Sequence, residues 1–287
     1  MIDIAQLTLE KLDKNGLLIL IDRATQEGWN PGLHDADVFW KTDPDGYYGY
    51  FYNQQLIAGG AIVSYQQEFG FMGLFIVHPD FRGQGIGRKL WYQRRDLLVS
   101  RLHKNAAIGM DGVVAMQPFY EAGGFTIAFR DERYECKGEK IALSPHISTV
   151  QKEDFENIMA YDKDCFGFKR EEFLQNWLAM PQSSSFKYII NNEIQGFAVI
   201  RKCHKGYKAG PLFADTHDIA EELYKACLNY AAGELIYLDI PTVNKKAVAL
   251  VAKFNANYVF ECARMYYNDA PNVAINKIYG ITTFELG

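Results

Sequence analysis

From Val77 to Gln93 the chain reads VHPDFRGQGIGRKLWYQ, with three glycines and two arginines packed between an apolar run and an amphipathic stretch. Glycine is needed where a Cβ would keep the backbone from approaching a ligand. A helix start offers N–H groups without intrahelical partners at the positive end of the helix dipole. With Gly83, Gly85 and Gly87 at this junction, the amides of Gln84 to Arg88 can converge on one oxyanion group, and Arg82 and Arg88 add charge. The predicted ligand is a pyrophosphate. A dinucleotide fingerprint would read G-x-G-x-x-G with an acid about 20 residues on, and a P-loop would read G-x-x-x-x-G-K-[ST]. The chain has neither here; it has R-x-x-G-x-G, as Arg82, Gly85 and Gly87.

Such a turn works only if a strand delivers it and a helix receives it. FMGLFIV, Phe71 to Val77, is a continuous apolar run of strand length, as expected of a strand buried on both faces. After the turn, Leu90, Leu97, Leu98 and Leu102 fall near helical spacing with Arg88, Lys89, Arg94 and Arg95 between them, which predicts an amphipathic helix. Upstream, YYGYFY and LIAGGAIVSY flank Asn53-Gln54-Gln55 as a hairpin. Downstream, AAIGM reads as a strand, VAMQPFYEAGG as a short helix stopped by Gly123-Gly124, and FTIAFRDERYEC as a further strand.

A second pass through the same series begins after Ser144-Pro145. Thr149 to Met180 reads as helical. FKYIINNEIQGFAVIRKC repeats the hairpin around Asn191-Asn192-Glu193. A helix (HDIAEELYKACLNYAA), a strand (LIYLDIP), a helix (NKKAVALVAKF) and a strand (YVFECARMYY) follow. The repetition predicts a tandem duplication, with domains at 1–143 and 144–287. A length of 287 residues suits two domains better than one.

Composition narrows the function classes. Hydrophobic residues at 48% and aromatics at 14% are ample for two packed cores. A net charge of -5 with a pI near 5.7 argues against a nucleic-acid partner. The N-terminus lacks a secretory pattern and no apolar run approaches the roughly 20 residues that span a bilayer, so the expected location is the cytoplasm, with no membrane partner. Cys136, Cys165, Cys203, Cys227 and Cys262 are far apart and read as free thiols. No histidine spacing suggests a metal site.

With the turn and its flanks in view, the first half resembles the GNAT superfamily of acyl-CoA-dependent N-acetyltransferases. That family's pyrophosphate loop carries the arginine and two glycines after a strand ending in Val-x-Pro. FYEAGGF, Phe119 to Phe125, is similar to the family's closing helix and strand, where a tyrosine precedes a Gly-Phe pair. The resemblance spans most of residues 1 to 140. It implies an α/β fold of the α+β kind: two tandem domains, each a mixed, mainly antiparallel twisted sheet flanked by helices. It also implies acetyl-CoA as co-substrate and transfer of the acetyl group to the primary amine of a small molecule. A non-catalytic acyl-CoA sensor or interaction module is the alternative.

The resemblance assigns Phe75, Ile76 and Val77 to the cofactor through main-chain atoms. Arg82, Gly83, Gln84, Gly85, Ile86, Gly87 and Arg88 then hold its pyrophosphate. Tyr120 is the expected acid for the leaving thiolate. EGWNPGLHDADVFW, Glu27 to Trp40, resembles the segment that closes over the acceptor, which makes Glu27, Trp29 and Asp37, together with Glu68 and Asp111, acceptor-side candidates. No one acid stands out as the base. Family members often carry an asparagine seven residues before the tyrosine, where this chain has Val113; GMDGVVAMQPFY resembles a subgroup with Asp-Gly-Val instead, so that Asp111 either holds a loop or faces the substrate.

The second half keeps that asparagine as Asn244 but has Val251 in the tyrosine's place, and KAGPLFADTHDI where the loop should be. All chemistry is therefore expected in residues 1 to about 143, with the repeat covering one side of the acceptor site or stabilising the first domain. One acetyl-CoA is expected per chain, because Pro211 has no N–H and Leu212 and Phe213 are bulky.

Overall fold

The computed structural model describes residues 2–287. The first half comprises β1 (Glu10–Lys11), α1 (Lys14–Gln26), α2 (Asp35–Thr42), β2 (Tyr47–Tyr52), β3 (Gln55–Tyr65), β4 (Phe69–Val77), α3 (Ile86–Arg101), β5 (Ala107–Val113), α4 (Gln117–Ala122) and β6 (Phe125–Lys137). After β7 (Ile147–Thr149) the series recurs. It runs α5 (Phe155–Phe166), α6 (Glu171–Leu178), β8 (Ser183–Ile190), β9 (Glu193–Lys202), β10 (Tyr207–Ala214), α7 (His217–Tyr230), β11 (Leu235–Pro241), α8 (Lys245–Lys253) and β12 (Asn257–Tyr267), with β13 (Ile278–Gly280) added near the end. The fold is the expected mixed, mainly antiparallel sheet flanked by helices, in two tandem units.

Local chemistry explains the repeated parts. Both hairpins turn on paired residues with positive φ, Asn53-Gln54 (48° and 64°) and Asn191-Asn192 (50° and 64°), a geometry that matches the twist of the strands they join. Asp13 caps α1 by accepting from the Gly16 N–H at 2.8 Å, and Thr216 caps α7 by accepting from Ile219 at 3.3 Å.

The two units do not close separately. The strands form one sheet in the order β1-β2-β3-β4-β5-β12-β6-β11-β10-β9-β8-β7. Strand β12 of the second half lies between β5 and β6 of the first, and β6 lies between β12 and β11. Each half thus completes its sheet with the last long strand of the other. Phe69, Phe71, Phe166, Trp177, Tyr266 and Leu286 share one core drawn from both halves.

In each half the fourth and fifth strands, β4–β5 and β10–β11, are parallel, and in each they part company after a few residues. The β10–β11 pairing covers only Tyr207 to Ala209. Past it, β13 pairs with β10 at Leu212 and Phe213, and the Ile281 N–H donates to Asp239 O at 2.8 Å, which fills the gap. Asn244 holds this wedge, donating its side-chain amide to Ile278 O at 2.8 Å. GPLFAD stands where a glycine turn would be, and its apolar residues suit a buried segment; it is no turn. It is instead the buried end of β10, because Leu212, Phe213 and Ala214 pack into the core, and only Asp215-Thr216 remain to connect to α7.

Candidate functional site

The matching gap in the first half is open. Strands β4 and β5 pair from Phe69↔Ala107 to Met72↔Met110 and then diverge. On its other edge β4 slips against β3: Gly73 pairs with Ala61, Ile76 with Gly59, and Leu74 between them has φ 49°. This bulge bends the strand and frees main-chain groups. Arg94 of α3 backs the bulge. It is fully buried and donates through Nη2 to the carbonyls of Ala61 and Gly73, the latter at 3.0 Å. Nε and Nη1 of Arg94 have no hydrogen-bond partner, and burial pushes the guanidinium down to about 9. The helical pattern put Arg94 among the polar residues between the leucines. It points inward because Gly60 makes room for it; a Cβ there would lie 2.4 Å from Arg94 Cζ.

A cavity of about 590 Å³ occupies the splay. Its end at the glycine turn holds Phe75, Ile76, Val77, Arg82, Gly83, Gly85, Ile86, Gly87 and Arg88. Gly83 and Gly85 have φ of 74° and 84°, which an L side chain rarely adopts. Gly85 is the N-cap of α3 and offers no side-chain cap, so the first-turn amides are left for a ligand. These features fit a pyrophosphate. Gln84 does not line the cavity; its side-chain amide turns toward Asp80 O at 3.4 Å. Arg82 donates through Nε to Val77 O at 2.9 Å and pairs through Nη2 with Glu27. Glu27, expected at the acceptor, therefore stands beside the phosphate turn.

The inner end is lined from both faces of the sheet. On the α3 face Tyr120 lies over Gly112, where a Cβ would come within 3.0 Å of its ring, with its centroid 5.7 Å from that of Trp91. Burial pushes the phenol well above its usual range, against the opposing pull of Arg94. Successive residues of a strand face opposite ways, so Asp111 is on the other face. There Arg264 of β12 holds both its oxygens, at 2.7 and 2.9 Å, and burial still pushes its carboxyl up to about 6.

Trp29 lines the cavity and its carbonyl accepts from Arg133 at 2.9 Å. Asp37 and Glu68 do not line it. Asp37 is on the exposed side of α2, 2.6 Å from Lys14, and Glu68 is in the exposed turn before β4. Neither carboxylate meets the splay, because the strand or helix carrying it ends on the wrong side.

The remaining wall comes from outside residues 1–143, from the repeat expected to cover one side of the acceptor site or to stabilise the first domain. Phe260 and Cys262 of β12, and Phe284 and Glu285 beyond β13, all face the cavity. The strand exchange brings in the first pair and the C-terminal segment the second. The available signal was Phe284 and Leu286 flanking a lone carboxylate in a stretch that no predicted element claimed. Among the described residues no cluster of His, Cys, Asp and Glu is arranged to hold a metal ion, and no helix is long and apolar enough to cross a membrane. The five cysteines are free.

Comparison with known proteins agrees with this geometry. Residues 15–125 match the family model described as Acetyltransferase (GNAT) family, and residues 158–280 match the one described as Acetyltransferase (GNAT) domain. The holothin acyltransferase of Pseudoalteromonas sp. (strain SANK 73390) is 24% identical over 271 residues, covering 94% of this chain and 90% of that protein. The uncharacterized N-acetyltransferase YitH of Bacillus subtilis (strain 168) is 22% identical over 289 residues, covering 97% and 98%. Among solved structures, a Pyrococcus horikoshii protein designated an acetyltransferase superposes with a TM-score of 0.83 at 21% identity, covering 98% of this chain and 96% of that one. A tandem GNAT protein from the clavulanic acid biosynthesis pathway gives a TM-score of 0.65 at 12% identity, covering 93% and 99%. Both structures share the fold of this chain.

Proposed function

The chain is a tandem protein of the GNAT superfamily, and from that premise we propose that it transfers an acetyl group from acetyl-CoA to the primary amine of a small molecule by direct attack. The observation that carries this reading is the open β4–β5 splay, with an uncapped glycine turn at one end and Tyr120 at the other.

Bound acetyl-CoA supplies a thioester that a neutral amine can attack with little activation, so the residues mainly position and manage charge. The amides ahead of α3, with Arg82, hold the pyrophosphate. Phe75 to Val77 offer main-chain groups to the pantetheine arm, and a main-chain N–H freed at the bulge would polarise the thioester carbonyl. Tyr120 gives its proton to the departing thiolate. The second half contributes wall and seam but no cofactor turn, since β13 occupies its splay.

Calorimetry with acetyl-CoA and thiol release across a panel of small amines test the reading. We expect one acetyl-CoA per chain and turnover with at least one primary amine. Absence of binding overturns it, and binding without turnover on any amine favours a sensor.

A further inference from the structure

The acceptor end of the cavity is built by the end of the second half. From β13 the chain runs from Ile281 to Gly287 over the first half's sheet. Tyr65 donates to Leu286 O at 2.9 Å, and Arg170 to Gly287 O at 3.0 Å. Gly73 lets this segment pass, for a Cβ there would lie 1.8 Å from the Glu285 carbonyl. Gly73 is also the residue after the last parallel pair, Met72↔Met110. Glu285 therefore sits at the apex of the splay.

Three carboxylates line the cavity, and two are engaged. Glu27 is tied to Arg82 at the phosphate end, and Asp111 has both oxygens on Arg264. Glu285 is 4% exposed, and Thr283 donates to its Oε2; among the described residues its Oε1 has no hydrogen-bond partner. Beside it stand Phe260 and Phe284, with ring centroids 5.6 Å apart. Tyr120 reaches the splay from the opposite face, so a proton donor and a proton acceptor flank the place where the thioester would lie.

We propose that Glu285 is the base that deprotonates the acceptor, and that the acceptor is a small primary amine with an aromatic body seated against Phe260 and Phe284. The inference rests on the N-acyltransferase reading above. The incoming ammonium gives one proton to Glu285, which passes it to solvent. The nitrogen then forms the N–C bond as the C–S bond breaks. The nitrogen's second proton leaves to Glu285 or water, Tyr120 protonates the sulfur, and solvent restores Tyr120. The balance is one amide, one thiol and one proton released. The charged groups that feel the Glu285 charge are Asp111 of β5, Arg133 of β6, Arg201 of β9 and Lys208 of β10. Arg133 and Arg201 are held by Asp239 and Asp35, and Lys208, which has no carboxylate partner among the described residues, donates to Trp29 O at 3.4 Å.

The test uses the whole chain with acetyl-CoA, 2-phenylethylamine as probe, and spermidine and glucosamine as comparators. The expected kcat/KM for phenylethylamine exceeds both comparators by about tenfold or more, as a well-filled apolar pocket allows. Glu285→Gln is expected to lower kcat by about 10²–10³ at pH 7, the scale of a lost general base, with acetyl-CoA affinity within about twofold. Its residual rate should climb about tenfold per pH unit toward the amine's own pKa, while the unaltered chain levels off earlier. Glu285→Asp should recover part of the rate, and Phe284→Ala should raise KM for phenylethylamine with kcat little changed. A Glu285→Gln profile that matches the unaltered chain, or a preference for spermidine or glucosamine, overturns the inference while leaving the transferase reading intact. If Glu285→Gln fails to fold, the Phe284→Ala split between KM and kcat decides it. Failure of the unaltered chain to bind acetyl-CoA overturns both.

Discussion

Asp111 of β5 and Arg264 of β12 stand 153 residues apart in the chain and form a buried two-point ion pair, at 2.7 and 2.9 Å, in the wall of the cavity. The pair joins the halves at the site itself. On the next strand, β6, Asp131 lies opposite Cys262, fully buried, and neither of its oxygens has a hydrogen-bond partner.

That arrangement makes stability depend on pH. Burial first, and then the Asp111 and Asp239 charges, push the Asp131 carboxyl well above the usual carboxylate range, although Arg264 opposes them. The native state therefore keeps a proton that the unfolded chain releases near pH 4, and stability falls as pH rises through that window. Asp131→Asn keeps the shape and removes the titration. Urea unfolding from pH 4 to 8 should show the variant gaining on the unaltered chain by up to about 1.4 kcal/mol per pH unit. A difference that does not change with pH would mean that Asp131 is ionised in the native state.

The Arg82–Glu27 contact predicts opposite effects on cofactor affinity. Arg82→Ala removes a charged phosphate contact worth about 1.5–3 kcal/mol, so acetyl-CoA should bind about 10- to 100-fold more weakly. Glu27→Gln releases Arg82 from a half-exposed pair and should tighten binding about two- to fivefold, the scale of a surface ion pair. Calorimetry reads both. Unchanged affinity in the two variants would sink the assignment of the turn.

Tyr120→Phe keeps the ring over Gly112 and deletes the proton. Turnover should fall about 10²–10⁴-fold with acetyl-CoA affinity nearly unchanged. A rate within a factor of about two of the unaltered chain would mean that water protonates the thiolate.

The glycine-turn end of the cavity was legible because its signals are local. Glycines with positive φ, an arginine, an apolar strand and a helix start all fall between Phe71 and Leu102. The opposite end was not, because its residues are informative only through their partners. Asp131 and Arg133 in FTIAFRDERYEC look like the polar positions of an edge strand, yet both are buried, since β11 and β12 cover β6 from either side. Arg94 is hidden for a similar reason: its partners are main-chain carbonyls freed by a bulge on other strands. Asp37 and Glu68 lie away from the splay, one on the exposed side of α2 and the other in the turn ahead of β4, whose far end forms the splay.

Strand exchange sets the last expectation. A chain cut at 143 loses β11 and β12, which leaves both edges of β6 and one edge of β5 unpaired and strips Asp111 of Arg264. An unpaired buried carboxylate costs about 3–5 kcal/mol, a large share of a domain's total stability, and the bare edges invite aggregation. The segment carrying Phe284 and Glu285 is lost as well. Residues 1–143 alone should therefore be insoluble or bind no acetyl-CoA, although they contain the entire phosphate turn. Coexpression with residues 144–287 should restore a one-to-one complex that binds the cofactor, because the β6–β12 and β5–β12 ladders can re-form between separate chains. Size-exclusion chromatography and calorimetry on the coexpressed fragments provide the check. A soluble 1–143 fragment with full acetyl-CoA affinity would show that the exchange does not hold the site together.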